Sequence, residues 1–459
     1  MKKLNKTNPK TKVALFAGAT ALMALAPQTH AQSSVDALIN RLEQKGILTV
    51  DEAKDLKTEN AMDSTNDFSA ALNQKFTIPD WVNNYKLYGD FRGRFDDISA
   101  GNPAFVERIR YRYRLRVGLQ VNMKDNMQVG LRLGSGDSAA AGSVTTQTGN
   151  PLSNNSTMQD NATKKFLYVD AAYAKWTAIN DNKLTAAITV GKMDQPFTFT
   201  PMVFDGDWTP EGAAIQNVYK INASHAIALN GGVFVLDEES KLARDPVMYG
   251  GQITLNSTWT PHIDTSVGFG ALNIVSRSQL ATNNVPTINQ GNTRTAAGRL
   301  MANYNPVIAD ASLTYKFDSF PLYTGTFPIR FAAEAMENPG APSASNKGLW
   351  AGITLGKSGK KGLWDLNYRY EYLEADAWYD QVVDDDPVAF YQAAPTPGAT
   401  SSGAFGGTNF KGHLVKANYS LTDSLTLSVT CLVDELIAKS PAGSQSDATR
   451  FFVDLMWKF

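Results

Sequence analysis

From Tyr85 onward, apolar and polar residues exchange places with a period of two, segment after segment. Runs rich in Gly, Asn, Asp, Ser and Thr separate the segments. The clearest segment is Glu107–Met123, E-R-I-R-Y-R-Y-R-L-R-V-G-L-Q-V-N-M. Ile109, Tyr111, Tyr113, Leu115, Val117, Leu119, Val121 and Met123 take the odd positions; Arg108, Arg110, Arg112, Arg114 and Arg116 take the even ones. That period places the two sets on opposite faces of a strand. Like charges along one face repel, so the arginine face needs water or counter-charge. The other face is longer than an ordinary strand and needs an apolar medium along all of it. A wide transmembrane β-barrel meets both needs, with lipid outside and water inside.

The same alternation predicts strands at Tyr85–Asp96, Glu107–Met123, Met127–Asp137, Lys165–Thr177, Lys183–Met193, Gly212–Ile221, His225–Leu236 and Val247–Thr258. It continues through Thr265–Ser276, Val307–Phe317, Ile329–Asn338, Lys347–Lys357, Leu363–Glu374, Phe410–Leu421, Leu425–Leu436 and Thr449–Phe459. The total is sixteen, an even number as a closed antiparallel barrel requires, and enough to leave an aqueous lumen. The pattern is weakest over Arg294–Pro306. Tight turns at Lys124–Asn126, Asn180–Asn182, Pro261–Asp264, Ser358–Gly362 and Thr422–Ser424 alternate with long polar loops. Outer-membrane barrels show that alternation, with short periplasmic turns and long outer loops. The expected fold class is therefore all-β, a 16-stranded antiparallel transmembrane barrel over 85–459, with a short helical segment before it.

The N-terminus reads differently. Lys2, Lys3, Lys6, Lys10 and Lys12 precede the apolar run Val13–Ala26, and Thr29-His30-Ala31 ends in a small residue. This predicts a secretory signal peptide over 1–31. Residues 32–60 are expected to form a periplasmic helical hairpin. There Val35, Leu38, Ile39 and Leu42 recur at helical spacing, and Thr49-Val50-Asp51-Glu52 forms a capping box. Residues 61–84 read as a polar linker. No other apolar run reaches 18 residues, so no transmembrane helix is expected.

Composition sharpens this only in part. Charged residues make up 19% of the chain, below the usual quarter. With the five signal lysines removed, 43 − 5 = 38 basic residues face 44 acidic ones, a mature charge of 38 − 44 = −6. Such a balance argues against a nucleic-acid partner. Cys431 stands alone on the apolar face of a strand, so no intrachain disulfide is possible. His225, His262 and His413 have neither metal nor triad spacing, and no nucleophile–base pair suggests an enzyme. No cofactor is expected.

Several stretches together resemble the family of putative porins of the bacterial outer membrane. They are Y-G-D-F-R-G-R-F in the first strand, the arginine strand, G-K-M-D-Q-P-F, F-D-G-D-W-T-P-E-G, Y-R-Y-E-Y-L-E-A-D-A and the final W-K-F. The resemblance covers roughly 85–459. It implies a channel for small hydrophilic solutes or ions, set in outer-membrane lipid and assembled as a homotrimer. It also implies that the third outer loop folds into the lumen. Asp205, Asp207 and Glu211 would then oppose Arg110, Arg112, Arg114 and Arg132 across a constriction. Arg92, Arg94, Arg108 and Arg116 complete the expected pore lining. Wall carboxylates such as Asp90, Asp170, Glu334 and Glu371 compete for the same arginines.

Two other readings compete with passive diffusion. An arginine ladder suits a channel selective for phosphate-like anions. The helical hairpin suits a structural tether within the envelope. Asp384-Asp385-Asp386, in the long loop Ala375–Asn409, reads as solvated outer loop in preference to a metal site.

Overall fold

The computed structural model describes residues 79–137, 149–238, 243–281, 285–286, 290–392, 403–439 and 445–459. Every strand among the described residues lies within the unit Trp81–Phe459. The expected signal peptide and helical hairpin lie outside the described residues, as does most of the expected linker.

Sixteen wall strands succeed one another in chain order. They are β1 Val82–Ala100, β2 Arg108–Met123, β3 Met127–Gly136, β4 Phe166–Asn180, β5 Leu184–Lys192, β6 Glu211–Lys220, β7 His225–Val235 and β8 Val247–Thr260. Then come β9 Ile263–Val275, β10 Val307–Phe317, β11 Phe327–Glu337, β12 Lys347–Gly356, β13 Trp364–Leu373, β14 Phe410–Ser420, β15 Leu425–Leu436 and β16 Ala448–Lys458. Each pairs antiparallel with the next, and β16 pairs with β1, which closes the barrel. All sixteen expected segments are strands. Most ends shift by one to three residues, and β1 differs most. The expected linker ends early, because Val82–Asn84 already belong to β1 and pair with β2. At its other end β1 runs on to Ala100, because Ile98, Ser99 and Ala100 find partners in Arg450, Thr449 and Ala448. The weakly patterned stretch 294–306 adds no wall strand and holds one isolated bridge, Arg294 to Leu300.

The seam between β1 and β16 is tight. Gly89 and Phe459 exchange backbone hydrogen bonds at 2.9 and 3.1 Å. A Cβ on Gly89 would fall onto the Arg116 carbonyl and the Phe459 ring, so only glycine fits there. At the top of β2, the two-residue strand Ser156–Thr157 from an outer loop pairs with Arg112 and Tyr113. It carries the ladder on beyond Arg116–Gly134, where the β2–β3 pairing stops.

The two faces of the wall obey the period of two. Outward positions such as Leu87, Ile109, Leu131, Ile188, Leu229, Val267 and Phe331 are exposed and apolar. Aromatic residues ring the short-turn end: Trp81, Tyr85, Trp176, Tyr219, Trp259, Tyr315, Trp364, Tyr419 and Trp457 all sit at strand ends beside a tight turn. Such a girdle marks a membrane–water interface. An apolar exterior of this kind on a closed barrel belongs in the outer membrane, where every backbone polar group is satisfied around the ring.

The lumen is unevenly filled. Loop residues Phe197, Phe199, Met202, Phe204 and Trp208 pack with Tyr304 and Trp378 from two other loops. This mass rests on inward side chains near the outer ends of β7–β11, among them Phe234, Met248, Leu272, Ile308 and Met336. Inward positions of β1, β2, β13, β14 and β16 instead include the charged residues Arg92, Arg94, Arg114, Arg116, Arg369, Lys416 and Arg450.

Candidate functional site

The charged wall begins with the arginine strand. Outward positions of β2 are apolar, so the alternating arginines point into the lumen, where β1 and β16 supply carboxylates in register. Asp90 lies opposite Arg116, Asp96 opposite Arg110, and Asp454 opposite Arg94. Arg94 donates to both Asp454 oxygens at 2.7 and 2.9 Å, and its guanidinium lies 3.9 Å from the centroid of the Phe452 ring. Arg450 spans the same seam the other way, donating to Asp96 at 3.0 and 3.2 Å. Arg110 shares that Asp96 at 2.5 Å, and Arg112 lies 3.7 Å from it. These two-point contacts between guanidinium and carboxylate are the strong, directional kind.

Two outer loops reach in to face this wall. The third outer loop, residues 193–210, is anchored by its aromatic residues. Phe204 stacks on Trp208 at 4.9 Å, and Phe197 lies parallel to Phe204 at 5.6 Å. Its tip presents Asp207, which accepts from Arg114 at 3.0 Å and from Arg116 at 3.1 Å. The seventh outer loop, residues 374–409, also enters the lumen. Trp378 is fully buried and donates its indole N–H to the Val203 carbonyl at 3.0 Å. Backbone bonds from Asp205 to Val382 and from Asp384 to Pro201 tie the two loops together at 2.8 and 3.1 Å. The fifth outer loop braces them. There the buried Asn292 donates to the Ala375 and Trp378 carbonyls, each at 2.7 Å, and accepts from the Asp380 amide at 2.9 Å.

Asp384-Asp385-Asp386 is therefore not a solvated outer segment. The apolar residues around it, Trp378, Tyr379, Val382, Val383, Val388, Phe390 and Tyr391, are all buried. They carry the acids inward. Asp384 accepts from Arg369 of β13 at 2.6 Å, and Asp386 lies 3.2 Å from Arg450 and 3.4 Å from Arg94. One carboxylate oxygen from each of Asp205, Asp384 and Asp385 falls within 4.8 Å of the other two. That spacing lets them share a cation or an ammonium group.

The wall, these two loops and Leu152, Ser153 and Asn155 of the second outer loop enclose a cavity of about 530 Å³. Its basic lining is Arg92, Arg94, Arg114, Arg116, Arg369 and Lys416. Its acidic lining is Asp205, Asp207, Asp365, Asp384, Asp385 and Asp386. Six basic side chains thus meet six acidic ones, with the bases on the wall and most of the acids on the loops. The loop carboxyls divide by surroundings. Burial, with Asp385, Asp384 and Asp207 close by, pushes Asp205 well above the usual carboxylate range. Burial and the neighbouring Asp386 push Asp385 up to about 7, against the pull of Arg450. Burial opposes ionisation of Asp386 too, but Arg450, Arg94 and Arg92 outweigh it and hold that carboxyl well below the usual range. Burial opposes ionisation of Asp207 as well, but Arg114, Arg116 and Arg92 outweigh it and lower that carboxyl.

Of the residues expected to line the pore, Arg92, Arg94, Arg114 and Arg116 line this cavity together with Asp205 and Asp207. Arg110 and Arg112 sit higher, around Asp96, and do not line it. Arg132 pairs with Asp170 and, at 2.6 Å, with Asp194, away from both loop tips. Arg108 is exposed at the start of β2. Glu211 does not belong to the constriction. The Met193 amide bonds the Pro210 carbonyl, so the wall ladder has resumed before Glu211, which pairs with Lys192 at 3.1 Å. Of the competing wall acids, Asp90 and Asp170 pair with arginines, and Glu371 lies 3.7 Å from Arg369. Glu334 instead accepts from the Thr200 amide and hydroxyl, at 3.0 and 2.5 Å, and holds the third loop. Sequence reasoning missed Arg369, Lys416 and Arg450, each the inward member of an alternating strand.

The model of a family described as Putative porin matches residues 100–295 of this chain, the family the sequence resembles. Among curated proteins nothing matches. Among solved structures the chain is similar to OprB of Pseudomonas putida at high pH, with 10% identity, 82% of this chain and 94% of that one covered, and a TM-score of 0.49. It is also similar to a mutant Rh. blastica porin, with 12% identity, 82% and 100% covered, and a TM-score of 0.41.

Proposed function

We propose that this outer-membrane channel passes small hydrophilic solutes and ions by passive diffusion through a loop-narrowed, arginine-lined constriction. The observation that carries the reading is the cavity in which six wall bases face five loop acids, with a sixth acid, Asp365, on the wall. Fixed opposite charges across a narrow aqueous gap set up a transverse field, and the low-dielectric walls concentrate it. Water and dipolar solutes align in that field, whereas an apolar solute would have to strip ordered water and gains nothing in return. Several weak charged contacts in series favour entry without trapping, which is the condition for conduction.

The charge balance bears on the rival reading. A channel built for phosphate-like anions needs a surplus of free cations at its narrowest point. Here Asp90, Asp207 and Asp454 already occupy Arg94, Arg114 and Arg116. On the resemblance alone, the assembly is a homotrimer, which the native mass in detergent tests. The deciding experiment is a planar-bilayer recording of the purified chain. The expected result is ohmic conductance with a reversal potential near zero in a potassium chloride gradient. A reversal potential close to the chloride equilibrium value would overturn general diffusion in favour of an anion-selective pore.

A further inference from the structure

Within the constriction, basic and acidic side chains are equal in number but not matched pair by pair, and the unmatched groups fall at two poles. The wall pole holds two cations without carboxylate partners among the described residues. Arg92 of β1 donates to the Asn155 side chain at 2.8 Å and makes no ion pair there. Lys416 of β14 makes no hydrogen bond and no ion pair among the described residues, although it lines the cavity. Beside Lys416 in register stands Thr430 of β15. Thr430 is 1% exposed, its hydroxyl has no partner among the described residues, and it lines the same cavity. A buried hydroxyl without a partner is costly unless something occupies the space before it.

The loop pole is the mirror image. Among the described residues Asp385 makes no ion pair and its carboxylate accepts no hydrogen bond, while Asp205 accepts only from the Asp207 amide, at 2.6 Å. Asp384 beside them already holds Arg369. The three converge within 4.8 Å. A simple anion in this cavity would satisfy the wall and crowd the acids. A metal ion would satisfy the acids and face Lys416 and Arg92. A molecule carrying both charges satisfies the two poles at once.

We propose that the constriction holds a saturable subsite for a small zwitterion of the α-amino-acid class. Its carboxylate sits against Lys416, Arg92 and the Thr430 hydroxyl, and its ammonium sits among Asp205, Asp384 and Asp385. The inference rests on the channel reading and goes beyond it. General diffusion needs no preferred occupant, whereas this geometry gives one. A cavity of about 530 Å³ holds such a solute with room for water, so occupancy is brief and exchange is fast.

The test uses the full chain in a planar bilayer at about pH 8, where Asp385, raised to about 7, is largely ionised. L-alanine, propionate, ethylammonium and calcium are each titrated into the same salt. L-alanine is expected to lower the ion current saturably, and the singly charged probes to need about tenfold higher concentrations, since each reaches one pole. Lys416→Met and Asp385→Asn each raise the half-blocking concentration of L-alanine about tenfold, and Thr430→Val raises it about threefold. Lys439→Met, on an exposed outer segment, leaves the block unchanged. Equilibrium binding of labelled L-alanine to the detergent-solubilised chain should show the same order. Block by propionate as strong as by L-alanine overturns the proposal in favour of an anion site. Equal block by ethylammonium or calcium overturns it in favour of a cation site. Block that none of the three variants weakens places the binding elsewhere and overturns it as well. A chain that conducts but neither binds nor is blocked by L-alanine loses the subsite and keeps the channel. A chain that binds L-alanine but does not conduct loses the channel and keeps the subsite.

Discussion

The two sides of the lumen meet the same infolded loops in opposite ways. Along β7–β11 the inward residues near the outer ends are Phe234, Met248, Leu272, Ile308 and Met336, and the loops press aromatic rings onto them. Along β1, β2, β13, β14 and β16 the inward residues include arginines, aspartates and Lys416, and the loops present carboxylates. One side is an anchor, held by area removed from water. The other is a filter, held by paired charge. A narrow pore needs both, because a loop tip positions charge only as firmly as its base is fixed. The anchor lies toward the outer ends of the strands. Nearer the tight turns the lining is of hydroxyl and amide side chains such as Asn256, Ser266, Ser312 and Thr314.

Removing the anchor is the harshest way to break this division of labour. Trp378→Ala deletes a fully buried ring that touches Phe204 and Tyr304, at a cost of roughly 3–5 kcal/mol to loop docking. The wall ladders do not depend on it. We expect an intact barrel with loops newly open to protease and a higher single-channel conductance; unchanged conductance would show that the aromatic mass does not set the aperture. Next comes the filter itself. Asp207→Asn leaves Arg114 and Arg116 with only Asp90 between them, costs about 3 kcal/mol locally, and moves the reversal potential toward anions. A cationic or unmoved reversal potential would place the current path elsewhere.

A smaller effect comes from Asp385, whose carboxyl is raised to about 7 by burial and by Asp386 and Asp384, against Arg450 and Arg112. Because the folded value lies above the usual carboxylate range, the protonated form is the one favoured by the docked loop. The contribution of Asp385 to loop docking is therefore most favourable below the usual carboxylate range, and the penalty grows as the pH rises from that range through about 7. Selectivity should drift toward cations over the same rise and stay flat in Asp385→Asn; a drift that persists in the variant would assign it to another group. Smallest of all is Glu211→Gln. Its pair with Lys192 is exposed, worth about 0–1 kcal/mol, and outside the filter. Conductance and selectivity should match the parent chain, and a changed reversal potential would put Glu211 back at the constriction.

Legibility from the residues splits along the same line. The wall is legible strand by strand, because a period of two reports both faces without any knowledge of neighbours. The third loop is legible as an unusual loop from its Phe, Trp and Pro content. The seventh is deceptive, because D-D-D among Gly, Pro, Ser and Thr has the composition of a solvated loop. A usable signal stands just before it. Trp378, Tyr379, Val382 and Val383 are too apolar for an exposed turn, and Val388, Phe390 and Tyr391 come on the other side. Which carboxylate meets which arginine is beyond reach, since Asp207 and Arg114 lie 93 residues apart. Glu211 is displaced from the expected constriction by one residue, because the hydrogen bond from the Met193 amide to the Pro210 carbonyl ends the loop just before it.

The arginines of β1 and β16 carry one further consequence. The pairs Arg94–Asp454 and Arg450–Asp96 join residues 360 and 354 positions apart, across the one joint in the ring where sequence neighbours do not meet. Until that joint seals, Arg94 lacks the aspartate that steadies it, and Arg450 lacks Asp96. Closure of the cylinder and completion of the sieve are thus a single event, and a half-inserted sheet is spared from becoming a sorted hole before it becomes a finished one.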